Sequence, residues 1–315
     1  MKLATSTGDF SLYKSLVPDK VRLFKDTKFK YINLEQSGTV LPELFSENDD
    51  DWKRVADACG EAATYAGVKY VVSHAPCVNP FAKLDDETYK TATRAVRRSI
   101  QVCGSLGISR IVVHTGTNEG FHEDEFYTQN KRFYSDLFDL MEKYGVTVLT
   151  ENFTSENYPV LSTGEDMMRM IDAVSHPLFG ACWDTAHCNL NSKAKEIGQY
   201  SNLVALGDKL KGLHVSDNFG NRGEHHHTWP FAGTINFDQV MQALIDVNYD
   251  GYFTFEASYT LLHHRNLPHE RKSWEYNKTE VAKLLDPSVV LKQKAVDLLY
   301  DIGKYLLETY DCFEE

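Results

Sequence analysis

The chain has 315 residues, of which 42 % are hydrophobic, and it carries a formal net charge of −12. That length allows a large buried core, and the negative charge argues against binding to nucleic acid, which depends on clustered Lys and Arg that this sequence lacks. The six cysteines form no CxxC pair, and the N-terminal segment has no apolar signal-peptide core, so we expect reduced thiols in a cytoplasmic protein that does not enter the membrane.

Short segments rich in β-branched or aromatic residues recur along the chain and predict eight strands. They cover residues 2–7, 30–36, 68–74, 110–116, 146–152, 179–184, 210–217 and 251–258. Several of them are almost continuously apolar, which is typical of parallel strands that are covered on both faces.

Stretches with helical periodicity lie between these strands. The apolar residues that recur every three or four positions are, in two such stretches, Ala92, Val96, Ile100 and Cys103, and Phe133, Leu137, Leu140, Met141 and Tyr144. A final helix is predicted to begin at Asp286-Pro287, an N-cap followed by proline in the first turn. Its apolar face is predicted to carry Leu291, Ala295, Leu298, Leu299 and Ile302.

Strands that alternate with helices predict an α/β fold, a single (β/α)₈ TIM barrel that forms one domain over residues 1–315. An open doubly wound sheet is the alternative, and the absence of a GxGxxG turn before the first helix disfavours it. Residues 37–51 and 259–285 are predicted insertions at the C-terminal face, where they either cover the mouth of the barrel or are solvated loops. The helix at the C-terminus is predicted to be an extra element.

Six of the eight predicted strands finish with a residue that can bind a metal or transfer a proton. These residues are His74, His114, Glu151, Asp184, His214 and Glu256. The gaps between them run from 30 to 42 residues, about one strand–helix unit each, so a barrel would gather all six at one mouth. A single His or Glu at a strand end is usually a solvated rim group. Three carboxylates in one pocket, however, raise one another's pKa, and a divalent cation would remove that conflict.

More histidines follow the sixth and seventh strands. His187 comes three residues after Asp184, and His225, His226 and His227 form a run in the loop after the seventh strand. Such a run is weak evidence by itself, but this loop is expected to cover the site. We therefore expect at least one of the three to face the pocket.

The motifs at these positions resemble those of the xylose-isomerase-like barrel superfamily, which includes sugar isomerases, ketose epimerases, inosose dehydratases and apurinic endonucleases. They are HAP (74–76), HTG (114–116), EN (151–152), DTAH (184–187), HVSDN (214–218) and FEAS (255–258). Their order and spacing are specific for the superfamily and not for one reaction.

The resemblance to ketose epimerases implies that one divalent metal is held by Glu151, Asp184, His214 and Glu256. It implies that Glu151 and Glu256 are also the catalytic acid–base groups, and that His187 and Arg222 bind substrate oxygens. Further candidates for the substrate pocket are His74, His114, His227 and, as an apolar wall, Trp183. Oxygen-rich ligands suit Mn²⁺, Mg²⁺, Co²⁺ or Zn²⁺, and we take Mn²⁺ as the first candidate.

The apurinic endonucleases instead hold three zinc ions, and this resemblance adds His225 and His227 as ligands of an additional metal. In this chain His225 stands where these proteins usually carry Asp. Imidazoles in place of a carboxylate favour a single metal.

The sequence therefore predicts a divalent-metal-dependent sugar isomerase or epimerase that acts on a ketose or keto-sugar by proton transfer through a metal-stabilised enediolate. The partner is a small sugar, with no nucleic acid and no membrane, and self-association stays open. The same residues suit a lyase, a dehydratase or an enzyme that cleaves C-glycosides of keto-sugars. The alternative of another class is a multinuclear zinc phosphodiesterase, and a sugar- or metal-binding barrel without turnover is the third.

Overall fold

The computed structural model describes residues 1–11, 13–36, 41–157, 159–221, 225–257 and 287–315. All eight predicted strands are present in this part of the chain and form one parallel sheet in the order β7-β6-β5-β4-β3-β2-β1-β8. The strands are β1 (Leu3–Ser6), β2 (Tyr31–Glu35), β3 (Lys69–His74), β4 (Arg110–Val112), β5 (Thr147–Glu151), β6 (Phe179–Asp184), β7 (Leu210–His214) and β8 (Phe253–Phe255).

The sheet closes into a barrel between β7 and β8. Val215, the residue after β7, forms a parallel bridge with Phe255. The backbone N–H of Val215 donates to the carbonyl of Thr254 at 2.8 Å, and the N–H of Glu256 donates to the carbonyl of Val215 at 3.1 Å. The predicted TIM barrel is therefore confirmed, and the open doubly wound sheet is excluded.

Helices connect consecutive strands around the outside of the barrel. They are α1 (Val17–Arg22), α2 (Asp51–Ala66), α3 (Asp86–Leu106), α4 (Glu123–Ser135), α5 (Phe138–Tyr144), α6 (Gly164–Val174), α7 (Thr185–Leu190), α8 (Ser192–Ile197), α9 (Gln199–Leu206), α10 (Phe237–Asp246) and α11 (Val289–Thr309). Short 3₁₀ turns cover Thr7–Phe10, Pro42–Phe45 and Gly207–Lys209. The predicted stretch over 133–144 is divided between α4 and α5, and at the break Arg97 donates a hydrogen bond to the backbone carbonyl of Asp136.

The final helix starts later than the sequence predicts. Its N-cap is Ser288, whose side chain accepts a hydrogen bond from the backbone N–H of Leu291 at 3.2 Å. Asp286, the predicted N-cap, lies outside the described residues.

The buried face of α11 also differs from the predicted one. Leu291 and Leu298 are 48 % and 54 % exposed, so this part of the prediction is wrong. The residues that α11 buries are Lys292, Val296, Leu299, Gly303, Leu306 and Leu307. A Cβ at Gly303 would overlap Leu3 and Phe255, so glycine lets the helix approach β1 and β8 closely.

Side chains alternate along each strand between the barrel interior and the layer under the helices. In β6, Cys182 belongs to a small interior cluster with Ala4, Val72 and Leu149, whereas Trp183 belongs to the outer core. Asp184 therefore follows on the interior side, at the end of the strand that faces the mouth.

Candidate metal and acid–base site

The carboxyl ends of four neighbouring strands place four acidic or imidazole side chains at the mouth of the barrel. Glu151, Asp184 and His214 are the last residues of β5, β6 and β7, and Glu256 directly follows β8. The first three are at most 1 % exposed, and the Glu256 side chain is 15 % exposed. All parallel strands of a barrel open toward the same end, and this brings together residues that are far apart in sequence.

Glu151 lies at the centre of this group. Its Oε1 is 2.8 Å from Nδ1 of His214, and its Oε2 is 3.0 Å from Nε2 of His114 and 3.5 Å from Nε2 of His74. Burial by itself would raise the pKa of this carboxyl, but the charge of His214 and the contacts with the histidines hold it well below its usual range. Glu151 is therefore an ionised carboxylate that accepts from three imidazoles.

Asp184 has one oxygen that is bonded and one that is not. Its Oδ1 accepts the backbone N–H of His187 at 2.7 Å. Its Oδ2 is buried and has no hydrogen-bond partner among the described residues, with Nε2 of His187 3.9 Å away. Burial raises the pKa of Asp184; the positive charge of His187 opposes this, and the negative charge of Glu151 adds to it. A buried carboxylate oxygen without a donor has the chemistry of a metal ligand.

Glu256 approaches the same centre from β8. Its Oε1 is 3.5 Å from Nδ1 of His214, and its Oε2 is 3.8 Å from Nδ1 of His227. Burial raises the pKa of Glu256 to about 8, partly offset by His214 and supported by the negative charges of Glu35 and Glu151. The carboxylates therefore oppose one another's ionisation.

These side chains fit a divalent cation. Glu151, Asp184 and His214 each present a ligand atom within 4.8 Å of the others, and so do Asp184, His227 and Glu256. The two groups share Asp184, whose Oδ2 is the unpaired oxygen. Carboxylate and imidazole donors of this kind suit Mn²⁺, Mg²⁺, Co²⁺ or Zn²⁺, and a bound cation would offset the repulsion between the carboxylates.

Asn152 fixes the ends of β5 and β6 relative to each other. Its Nδ2 donates to the carbonyl of Asp184 at 3.0 Å, and its Oδ1 accepts the N–H of Asp184 at 2.7 Å. Its backbone carbonyl also accepts Nδ1–H of His187 at 2.7 Å, which directs Nε2 of that imidazole toward the mouth. This network accounts physically for the EN and DTAH motifs.

The loop after β7 is held by a second network. Thr185 donates its hydroxyl to the carbonyl of Ser216 at 2.6 Å, and the hydroxyl of Ser216 is 3.1 Å from Nδ1 of His227. The carboxylate of Asp217 accepts the backbone N–H groups of Gly233 and Ile235 at 2.9 and 3.1 Å. A Cβ at Gly233 would overlap the backbone of Asn218 and the Asp217 carboxylate, so the GTI motif needs its glycine.

Two further clusters flank the centre. On one side, His187, His225 and His227 gather, and Nε2 of His225 is 2.8 Å from Nε2 of His227. Burial, together with the positive charges of His187 and His225, holds the pKa of His227 well below its usual value. Two members of the HHH run thus reach the mouth, whereas the third, His226, lies beside the ring of Phe219.

On the other side, His74 and His114 stand with Cys77. Nε2 of His74 is 3.1 Å from Nε2 of His114. Burial opposes protonation of both imidazoles, but Glu151 and Glu35 raise the pKa of His74 well above its usual value, and Cys77 and Glu151 raise the pKa of His114 to about 9. β4 ends at Val112, so the prediction that His114 ends this strand is wrong: His114 stands two residues beyond it and still reaches the site.

The remaining predicted residues do not join this group. Trp183 is fully buried and donates its Nε1–H to Oε1 of Gln199 at 2.9 Å. It has no surface to offer a substrate, because strand alternation turns it away from the mouth, and we no longer count it as an apolar wall. Phe153 takes that place, with its ring centroid 4.8 Å from that of His114. Arg222, residues 37–40 and the predicted insertion over 259–285 lie outside the described residues.

Sequence reasoning missed two residues of the mouth. Glu35 is the last residue of β2 and pairs in register with His74. One of its oxygens accepts from Asn33 Nδ2 at 2.8 Å and from the Ser6 hydroxyl at 3.2 Å. The strand-end criterion that selected the other six residues would have selected Glu35 as well, whereas Cys77 follows the HAP motif and gave no signal of its own.

Comparisons with known proteins agree with this architecture. The chain belongs to the xylose isomerase-like TIM barrel family, whose model matches residues 21–276, a family made up mostly of enzymes that includes sugar isomerases, epimerases and endonucleases. No helix among the described residues is long and apolar enough to cross a membrane.

Individual relatives are distant. A probable endonuclease 4 from Citrifermentans bemidjiense is 24 % identical over 232 residues, which cover 68 % of this chain and 81 % of that protein. The crystal structure of a D-tagatose 3-epimerase-like protein superimposes with a TM-score of 0.68 at 19 % identity, over 98 % of this chain and 100 % of that one. The IOLI protein, crystallised with a zinc atom, gives a TM-score of 0.68 at 18 % identity over 100 % of both chains. At these identities the superpositions show the fold alone.

Proposed function

We propose that this protein is a divalent-metal-dependent sugar isomerase or epimerase that moves a proton next to the carbonyl of a ketose or keto-sugar. The observation that carries the proposal is the convergence of Glu151, Asp184, His214 and Glu256 on one buried centre, with the Asp184 Oδ2 unpaired. The superposition on a D-tagatose 3-epimerase-like protein supports it at the level of architecture.

In this proposal Glu151, Asp184, His214 and Glu256 hold the cation, which when bound binds adjacent substrate oxygens and stabilises negative charge that develops on them. Mn²⁺ is the first candidate. Glu151 and Glu256 carry the proton, because they reach the centre from different strands, β5 and β8, and so can serve different faces of one carbon. His187, braced by Asn152, orients a substrate oxygen through Nε2.

The rest of the mouth shapes the substrate pocket. His74 and His114 face the substrate from β3 and the loop after β4, and Phe153 gives an apolar surface beside them. His227, held by Ser216, completes the wall on the side of β7. Return of the proton to the same carbon from the opposite face gives an epimer, and delivery to the neighbouring carbon gives an isomer. Loss of a β-oxygen would make the enzyme a lyase or dehydratase, and loss of a C-glycoside would make it a glycoside-cleaving enzyme.

The test is a panel of ketoses and 3-keto-glycosides incubated with the protein and Mn²⁺ in D₂O. We expect deuterium at one carbon of a turned-over sugar, as read by mass spectrometry and NMR, and about one tightly bound divalent ion per chain by elemental analysis. Protein stripped of metal is the control. No exchange with any member of the panel and no bound metal after gentle purification would overturn the proposal.

A multinuclear zinc phosphodiesterase is the second candidate. It is favoured by the two extra clusters, His74–Cys77–His114 and His187–His225–His227, and by the similarity to a probable endonuclease 4. The net charge of −12 opposes it, because a nucleic-acid backbone is strongly anionic. Cleavage of an abasic DNA duplex together with three zinc ions per chain would favour this function over the first.

A further inference from the structure

A cleft on the outside of the barrel, away from the mouth, is lined mainly by α3. Its volume is about 310 Å³, which is within the range of small-molecule sites. Four of its lining residues are basic: Lys90, Arg94, Arg97 and Arg98. None of the lining residues is a residue of the metal and acid–base site, so the cleft is a separate feature.

The basic residues form one stripe on α3. Lys90, Arg94, Arg97, Arg98 and Gln101 follow one another at intervals of four, three, one and three residues, which places them on one face of a helix. A concentration of positive charge is unusual on a chain with a net charge of −12. It escapes a search for consecutive Lys and Arg because helical spacing spreads it over a dozen positions.

The carboxylates near the cleft already have partners. Arg97 binds both oxygens of Asp139 at 2.6 and 2.7 Å, and Arg98 pairs with Asp49 at 3.2 Å. The carboxylate of Asp136 accepts the hydroxyl of Tyr89 at 2.7 Å. These contacts fix the walls of the cleft, and they consume the negative charge that could neutralise its other cations.

The other cations have no carboxylate partner in the described part of the chain. Nε of Arg94 is buried and has no hydrogen-bond partner there, and Lys90, which is exposed, forms no ion pair among the described residues. The guanidinium of Arg132 lies over the ring of Tyr89, 4.5 Å from its centroid. A buried donor without an acceptor destabilises the folded state, and an anion in the cleft would satisfy it.

We propose that this cleft on α3 binds a phosphate monoester, either inorganic phosphate or a phosphorylated sugar. A phosphate group offers several acceptor oxygens to the forked guanidinium of Arg94 and to the ammonium of Lys90. The site does not depend on the reaction at the barrel mouth and shares no residue with it.

The test is titration calorimetry of the full chain with inorganic phosphate and, separately, with glucose 6-phosphate, at low ionic strength. We expect saturable binding that weakens roughly tenfold or more in Lys90→Met/Arg94→Met, because each change removes a charge-assisted contact. Lys30→Met is the matched control, since it removes one positive charge from an exposed side chain just before β2, and it should bind as the wild type does.

Lys90→Met alone keeps the test decisive, because the exposed Lys90 side chain is not needed for folding, and it too should weaken binding. Tighter binding of glucose 6-phosphate than of inorganic phosphate would assign the sugar ester as the ligand, and the reverse order would assign the free ion. Either no saturable binding of both probes by the wild type, or equal binding by wild type and double variant, would overturn the proposal.

Discussion

The most direct physical test of the metal and acid–base site is the pH dependence of folding stability after removal of divalent cations. Burial and the negative charges of Glu35 and Glu151 raise the pKa of Glu256 to about 8, against 4.5 for the free side chain. The folded chain therefore keeps a proton on Glu256 at pH values where the unfolded chain has lost it. Stability must then fall as the pH rises from about 4.5 toward 8.

The size of this effect follows from the two pKa values. One pKa unit corresponds to about 1.4 kcal/mol, so the Glu256 carboxyl accounts for a loss of roughly 3 kcal/mol between pH 5 and pH 8. The raised pKa of Asp184 and of the imidazoles of His74, His114 and His214 act in the same direction. The substitution Glu256→Gln removes the largest printed contribution, so the variant should be less sensitive to pH and more stable than the wild type at pH 8.

The assay is urea unfolding followed by tryptophan fluorescence at pH 5, 6, 7 and 8 in the presence of a chelator. Glu196→Gln, at an exposed carboxylate on α8, is the matched control and should keep the wild-type slope. Excess Mn²⁺ should stabilise the wild type at pH 8 and do so much less in Glu256→Gln. A wild-type stability that is constant or increases from pH 5 to pH 8, or an equal slope in Glu256→Gln, would refute the reasoning.

Three other substitutions address neighbouring parts of the site. Glu151→Gln should abolish turnover and leave the circular dichroism spectrum unchanged, and near-normal activity would remove Glu151 from the mechanism. Asn152→Ala should weaken metal binding about 10- to 100-fold, because Asp184 loses its brace; an unchanged metal affinity, measured by competition with a chromophoric chelator, would contradict this. Trp183→Phe should cost about 1–3 kcal/mol of stability through the lost hydrogen bond to Gln199, with kcat unchanged, and a large fall in kcat would return Trp183 to the substrate pocket.

The barrel and the centre of its site could be predicted because both depend on strong sequence signals. The apolar strand segments are nearly continuous, and Glu151, Asp184 and His214 end theirs without ambiguity. Barrel closure then brings residues 30 to 42 positions apart to one mouth, whatever the details of the loops. Glu35 could have been found by the same rule.

Other features depend on tertiary contacts that periodicity does not encode. On α11 the close approach at Gly303 selects the buried face, and the helix is rotated so that Leu291 and Leu298 face outward. In β6 the orientation of Trp183 follows from strand alternation, which a list of aromatic residues near the site ignores. The basic stripe on α3 needs a helix and its neighbours before it becomes a cleft.

The join between β7 and β8 is narrow, with the bridge from Val215 to Phe255 and the two backbone hydrogen bonds beside it. His214 stands just before this join on one strand, and Glu256 just after it on the other. A cation held by both side chains would act as a clasp across the last gap in the wall of the barrel. Amide hydrogen exchange at Val215 and Glu256 should accordingly slow down when the metal is supplied, which would make loading of the metal a step in the completion of the fold.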